Sequence, residues 1–338
     1  ADAYHKLGGG RWNHMMAQIN LGYTIWQQPD IESMPAVQEV RPRPGAAMAI
    51  AIEGSERAYP SSGAGPAVLP PLDTYRRGTR WIEVFNRGGE TFTYKATVDQ
   101  PWVTLVPASG SVEEITRIEV GADWKAVPPG ETSVTVVIEG STGERRTVQL
   151  PVRNPKVPKP ADVKGFVETD GHVAVEAPHF HRSVTDRDIE WKTLADFGPT
   201  LGDATAFPIL AAPRQPRDGS PRLEYDVHLF SSGEVTVELH CAPSLNIQSG
   251  EGLRLAVSFD NAPPQILKLD TWSTLQTWER AVADGVRRVT SRHHIEQPGH
   301  HVLKFWMVTP GVVLARVIVD TGGIRPSYLG PPESFRGE

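Results

Sequence analysis

The chain has 338 residues, 39% of them hydrophobic, with a formal net charge of -6 and a pI near 6.0. That length holds two or three domains with their own cores, and the acidic balance excludes the clustered basic surface that nucleic acid requires. The single cysteine, Cys241, rules out an intrachain disulfide. No run approaches the ~18 apolar residues of a membrane span, so no membrane partner is expected.

Taken in chain order, residues 1–28 open on a helical stripe. Trp12, Met15, Met16 and Ile19 fall at helical spacing, and Tyr23 and Trp26 extend it. A helix this short needs packing partners, so it reads as the end of a helical domain whose remainder lies upstream. The chain opens ADAYHKLGGGRW, without an initiator Met or a signal-peptide pattern, and is expected to be cut from something longer. Residues 29–75 are proline-rich and mostly extended connector, with one short strand over Met48–Glu53.

From Arg76 the pattern changes to period two. In TFTYKATV, Phe92, Tyr94, Ala96 and Val98 share one face, and strands are also expected over 80–86, 117–122, 132–139 and 146–152. Gly- and Pro-containing turns separate them. This predicts an immunoglobulin-like β-sandwich over 76–153. NPKVPKPADV then reads as a stiff linker over 154–164. A second sandwich follows over 165–325. Leu223, Tyr225, Val227 and Leu229 alternate, as do Val235, Val237, Leu239 and Cys241. Segments 253–259, 301–308 and 312–319 are strand-like, Thr277–Asp284 is a helical turn, and 326–338 is a tail. The fold class is therefore mainly β, two sandwiches preceded by a short helical remnant. Cys241 sits on an apolar face and reads as a buried, inert thiol.

Catalytic signatures are missing from the sequence: there is no P-loop, G-x-S-x-G, H-E-x-x-H or C-x-x-C. His293, His294, His300 and His301, with His179 and His181, suggest a metal site. Neighbours on a strand point to opposite faces, however, so at most one of each adjacent pair can converge. They read as solvated or packed loop-edge histidines. Glu224, Asp226 and Glu333 are the carboxylates to weigh for glycoside hydrolysis. Glu224 and Asp226 share a face opposite Leu223 and Tyr225, which reads as solvent-facing. Aromatic rings are the stronger lead. Trp191, Trp272 and Trp278 lie in polar, turn-rich segments, where they either offer stacking faces to a sugar or close a sandwich edge. Trp306, Trp102 and Trp124 read as structural.

Several long phrases, YHKLGGGRWNHMM, GYTIWQQP, RWIEVFNRG, SPRLEYDVHLFSSGEVTVELHCAPSLN, HHVLKFWMVTPGVVL and VDTGGIRPSYLGPPES, together resemble the C-terminal region of glycoside hydrolase family 115. The resemblance runs in order over nearly the whole chain. It implies that the second sandwich is galactose-binding-like, of jelly-roll type. It also implies a parent enzyme, secreted or periplasmic, that removes glucuronic or 4-O-methyl-glucuronic acid from xylan by inversion. The family's catalytic barrel lies upstream, so no catalytic residue is expected here. The expected partners are that catalytic domain, glucuronoxylan and a second copy in a homodimer. The expected role is scaffolding, shaping of the active site or dimerisation, with carbohydrate binding through loop tryptophans as the alternative. Related modules hold a structural Ca²⁺ with Glu-x-Glu on the first strand. Here Glu176 is present, Pro178 replaces the second acid, and Asp320 on the last strand is the other candidate ligand. No other cofactor is expected.

Overall fold

The computed structural model describes Lys6, Gly9 and residues 43–337, except 64, 77, 157, 248, 249, 271–273 and 326. The helical stripe expected over 1–28 and the ring of Trp272 lie outside the described residues.

The first sandwich contains β1 (Met48–Ile52), β2 (Ala58–Tyr59), β3 (Ala67–Val68), β4 (Leu72–Asp73), β5 (Arg80–Asn86), β6 (Phe92–Val98), β7 (Val103–Val106), β8 (Ser109–Val112), β9 (Ile115–Ala122), β10 (Gly130–Gly140) and β11 (Arg145–Asn154). One sheet runs β2-β1-β5-β9-β7, and the other runs β3-β11-β10-β6-β8 with β4 also on β11. Alternation sets the packing. Val134, Val136 and Ile138 of β10 and Val148, Leu150 and Val152 of β11 are all buried, as are Ile82 and Val84 across the gap. Their intervening neighbours face outward, which is the period-two signature of a sheet packed on one side. Within the segment read as connector, β1 pairs antiparallel with β5 over five residues. β3 and β4 pair in parallel with β11. These last strands are two residues long, too short for any periodicity to announce them.

The second sandwich contains β12 (Gly165–Val167), β13 (His172–Glu176), β14 (Arg182–Val184), β15 (Glu190–Ala195), β16 (Gly202–Phe207), β17 (Arg222–Leu229), β18 (Gly233–Cys241), β19 (Arg254–Phe259), β20 (Gln265–Lys268), helix α1 (Leu275–Asp284), β21 (Arg287–Ile295), β22 (Gly299–Met307), β23 (Val313–Asp320) and β24 (Arg336–Gly337). One sheet runs β20-β19-β22-β17-β12-β24 with β14 on β17; the other runs β15-β16-β23-β18-β21 with β13 on β23. Between them lie Leu223, Tyr225, Val227, Leu239, Cys241, Phe305 and Val317. Burial lifts the Cys241 thiol well above its ordinary pKa and keeps it protonated and inert. Helix α1 is longer than the turn expected at Thr277–Asp284. The Thr274 side chain caps its start by accepting from Thr277 N at 3.1 Å, and Gly285 ends it at φ 66°.

Residues 327–337, expected as a tail, form a strap across the outer face of the second sheet. Arg316 donates to the carbonyls of Leu329 and Pro331, Ser334 Oγ accepts from Ala174 N, and β24 closes onto β12.

Candidate functional site

The junction of the two sandwiches holds a dense set of buried polar contacts. Its centre is Arg80, on β5, where alternation turns the side chain away from solvent: it is only 2% exposed. A buried guanidinium must spend its donors. Arg80 gives two bonds to Pro71 O (3.1 and 2.6 Å), one to Glu53 Oε1 (2.8 Å) and two to Asp170 (2.8 Å to each oxygen). Pro71 and Glu53 belong to the first sandwich and Asp170 to the β12–β13 turn of the second. Arg76 also donates to Asp170, so one carboxylate holds two guanidinium groups.

Tyr75 adds the apolar half of the joint. Its ring packs with Val163, Val167 and Phe335 and lies 5.4 Å from the ring of Phe230. Its hydroxyl donates to Pro158 O at 2.5 Å, so the segment read as a stiff linker is itself fastened to the first sandwich. Asp73 accepts from Tyr75 N at 2.8 Å. Burial lifts its carboxyl pKa to about 6, and the neighbouring Asp170 charge adds to this against the pull of Tyr75 N–H, Arg153 and Arg80. Beside this joint lies a cleft of about 1250 Å³, walled by both sandwiches and including Tyr75, Arg76, His172, His228, Phe230 and Arg325.

The residues singled out from sequence are placed elsewhere. Trp191, on β15, is half-buried: its Nε1 donates to Val184 O at 3.1 Å, and its ring meets Phe305 edge-on at 5.9 Å. Trp278 lies half-buried on α1. Trp306 is buried, bonded to Ser258 Oγ at 2.9 Å and covered by the Arg222 guanidinium. Glu176 and Asp320 do not meet. In the β13–β23 ladder Glu176 pairs with Arg316 while His172 pairs with Asp320, placing the two acids about 13 Å apart along the strands. Glu176 binds the Arg316 guanidinium and accepts from Thr200 Oγ1 at 2.6 Å. Asp320 caps the backbone N–H groups of Gly322, Gly323 and Ile324.

Glu224 and Asp226 correct the expectation of a solvent-facing pair, being 4% and 3% exposed. They are buried because other side chains cover and pair with them: Arg222 sits 2.6 Å from Glu224, while His300 (2.8 Å) and Lys164 (3.1 Å) hold Asp226. Of the suspected histidines, His300 and His181 share Asp226, at 2.8 and 3.5 Å, and the others have separate partners. His294 pairs with Glu234, His301 with Asp260, His293 with Ser291 and His179 with Glu333. No group of three or more His, Cys, Asp or Glu side chains is set to hold a metal ion among the described residues.

The junction was not legible as a site. Arg80 reads as one more residue of RWIEVFN, and its partner lies ninety positions away. The turn signal Asp170-Gly171, with Asp170 at φ 54°, marks where a carboxylate is presented but not what it meets.

Among solved structures, the chain is similar to a family GH115 4-O-methyl-α-glucuronidase with specificity for decorated arabinogalactans (16% identity, TM-score 0.35, covering 49% of this chain and 19% of that one). It is also similar to a CBM35 from Paenibacillus barcinonensis (12% identity, TM-score 0.28, 44% and 97%) and one from Cellvibrio japonicus Abf62 (13% identity, TM-score 0.29, 46% and 97%). The chain thus spans about a fifth of the first of these. Among curated proteins none matches. The model of the glycosyl hydrolase family 115 C-terminal domain matches residues 165–333, the second sandwich up to but not including β24 and half of the chain, and the chain belongs to that family.

Proposed function

We propose that this chain is the non-catalytic C-terminal accessory region of a family 115 α-glucuronidase. The parent enzyme would remove glucuronic or 4-O-methyl-glucuronic acid from xylan, and this region would brace the catalytic domain within the same polypeptide. The observation that carries the reading is the Arg80 joint. A guanidinium 2% exposed and bonded to both sandwiches couples them into one stiff body, as a scaffold needs and a flexibly tethered module does not. The carboxylates weighed for hydrolysis point the same way. Glu224, Asp226 and Glu333 are each engaged by fixed partners, whereas an acid and base pair must face a substrate and a water.

The test is excision. Removing residues 43–338 from the parent polypeptide is expected to lower uronic acid release severalfold or leave it insoluble, and restoring them should recover it. A truncated parent with unchanged turnover and melting temperature would overturn the proposal.

A further inference from the structure

The cleft beside the joint contains one charge with no assigned use. Arg325, in the segment between β23 and the strap, reaches across to the first sandwich and lies over Gly54. Gly54 has φ +82°, and a Cβ there would sit 1.6 Å from the Arg325 guanidinium. Only a residue without a side chain leaves that space. Once there, the guanidinium has no hydrogen-bond or ion-pair partner among the described residues, unlike the other cations of the cleft. Arg80 and Arg76 are held by Asp170, and Arg153 lies 3.6 Å from Glu131.

The acids around it are already committed. Glu53 and Asp170 serve Arg80, and Asp73 accepts from Tyr75 N. Glu168 accepts from Phe230 N (2.6 Å), Ser231 N (2.9 Å) and Ser231 Oγ (2.6 Å). This last set fixes the loop that presents Phe230, a residue 39% exposed whose ring is backed edge-on by His228 at 5.1 Å. His172 lines the same cleft with a buried Nδ1 that has no hydrogen-bond partner. A fixed aromatic face, proline walls at Pro70 and Pro71 and one unspent guanidinium therefore border a space far larger than a monosaccharide. Ring faces stack on the apolar faces of pyranoses, and a guanidinium pairs with a carboxylate in bidentate fashion.

We propose that the cleft between the sandwiches binds an acidic oligosaccharide, with its carboxylate on Arg325 and a sugar face on Phe230. The proposal deepens the accessory reading by assigning that region a ligand. A peptide carboxylate would satisfy Arg325 equally, but the ring and proline walls favour a saccharide.

Titration calorimetry on residues 1–338 tests it, with three probes: xylotriose bearing one glucuronic acid, neutral xylotetraose and a singly charged acidic peptide. The acidic sugar is expected to bind about tenfold or more tighter than the neutral one, the worth of a charge-assisted pair, and to weaken with salt. Arg325→Met should erase that preference at an unchanged melting temperature, and Phe230→Ala should weaken both sugars. Gly54→Val, which displaces the guanidinium, should mimic Arg325→Met. Equal binding of the two sugars, binding unaffected in Arg325→Met, preference for the peptide, or no binding at all would each overturn the proposal. Loss of sugar binding with excision still crippling the parent would sink the cleft alone; sugar binding with excision harmless would sink the accessory reading alone.

Discussion

Replacing Arg80 by Met removes the centre of the joint while keeping most of its volume. The substitution deletes two bonds to Pro71 O, one to Glu53 and two to Asp170. Glu53, with a side chain 21% exposed, loses its ion-pair partner, and Asp170, 15% exposed, keeps only Arg76. Stranding buried charges in this way costs about 3–5 kcal/mol. Residual hydration of both carboxylates puts the expected loss at the lower end, about 3 kcal/mol. Because the bonds cross between sandwiches, the loss should fall on their coupling more than on either core. Calorimetric melting of the wild type is expected to show one cooperative transition. Arg80→Met should show two, with the first lowered by several degrees, and small-angle scattering should give a larger radius of gyration. Arg80→Met combined with Asp170→Asn should recover part of the loss, since the stranded charge is then gone. A single transition at the wild-type temperature in Arg80→Met would refute the reasoning.

Asp203 supplies a second prediction. Both of its carboxylate oxygens are buried without a hydrogen-bond partner, and burial, helped by Glu176, lifts its pKa from 3.8 to about 6. The folded state therefore binds a proton between about pH 4 and 6 that the unfolded chain has released, so stability falls as pH rises through that window and stays low above it. At about 1.4 kcal/mol per pKa unit, ionising Asp203 costs up to about 3 kcal/mol. Asp203→Asn is expected to be more stable than wild type by about 1–3 kcal/mol at pH 8 and nearly equal at pH 4. Urea titrations with parallel pH slopes for the two proteins would contradict this, Asp73 contributing the same slope to both. A third prediction concerns calcium: Arg316 already neutralises Glu176, and Asp320 is spent on backbone N–H groups. EDTA is expected to leave the melting temperature unchanged, and a drop of several degrees reversed by added Ca²⁺ would refute it.

The strands were legible where one face is buried and the other wet. TFTYKATV announces β6 because its buried positions alternate with exposed ones. β17 misleads for the opposite reason: seven of its eight residues are buried, so Glu224 and Asp226 look like an exposed face until the side chains that cover them are placed. The groups that hold Asp226, Lys164 and His300, come from distant positions, and no local pattern links them. Helix α1 carried its boundaries in Thr274 and Gly285, the residue types that cap helices. Trp191 was visible as an unusual ring in a polar stretch, but its tie to Val184 O and its contact with Phe305 depend on pairing that local sequence does not encode. The junction is the extreme case, since Arg80, Asp170 and Arg325 come together only through the order in which two sandwiches are joined.

Release of uronic acid from a glucuronylated xylo-oligosaccharide by purified residues 1–338 is the most direct test of the accessory reading. No release above the no-enzyme blank is the predicted result, with the parent polypeptide active under the same conditions. Turnover by the chain alone, abolished by Glu224→Gln or Asp226→Asn at an unchanged melting temperature, would contradict it.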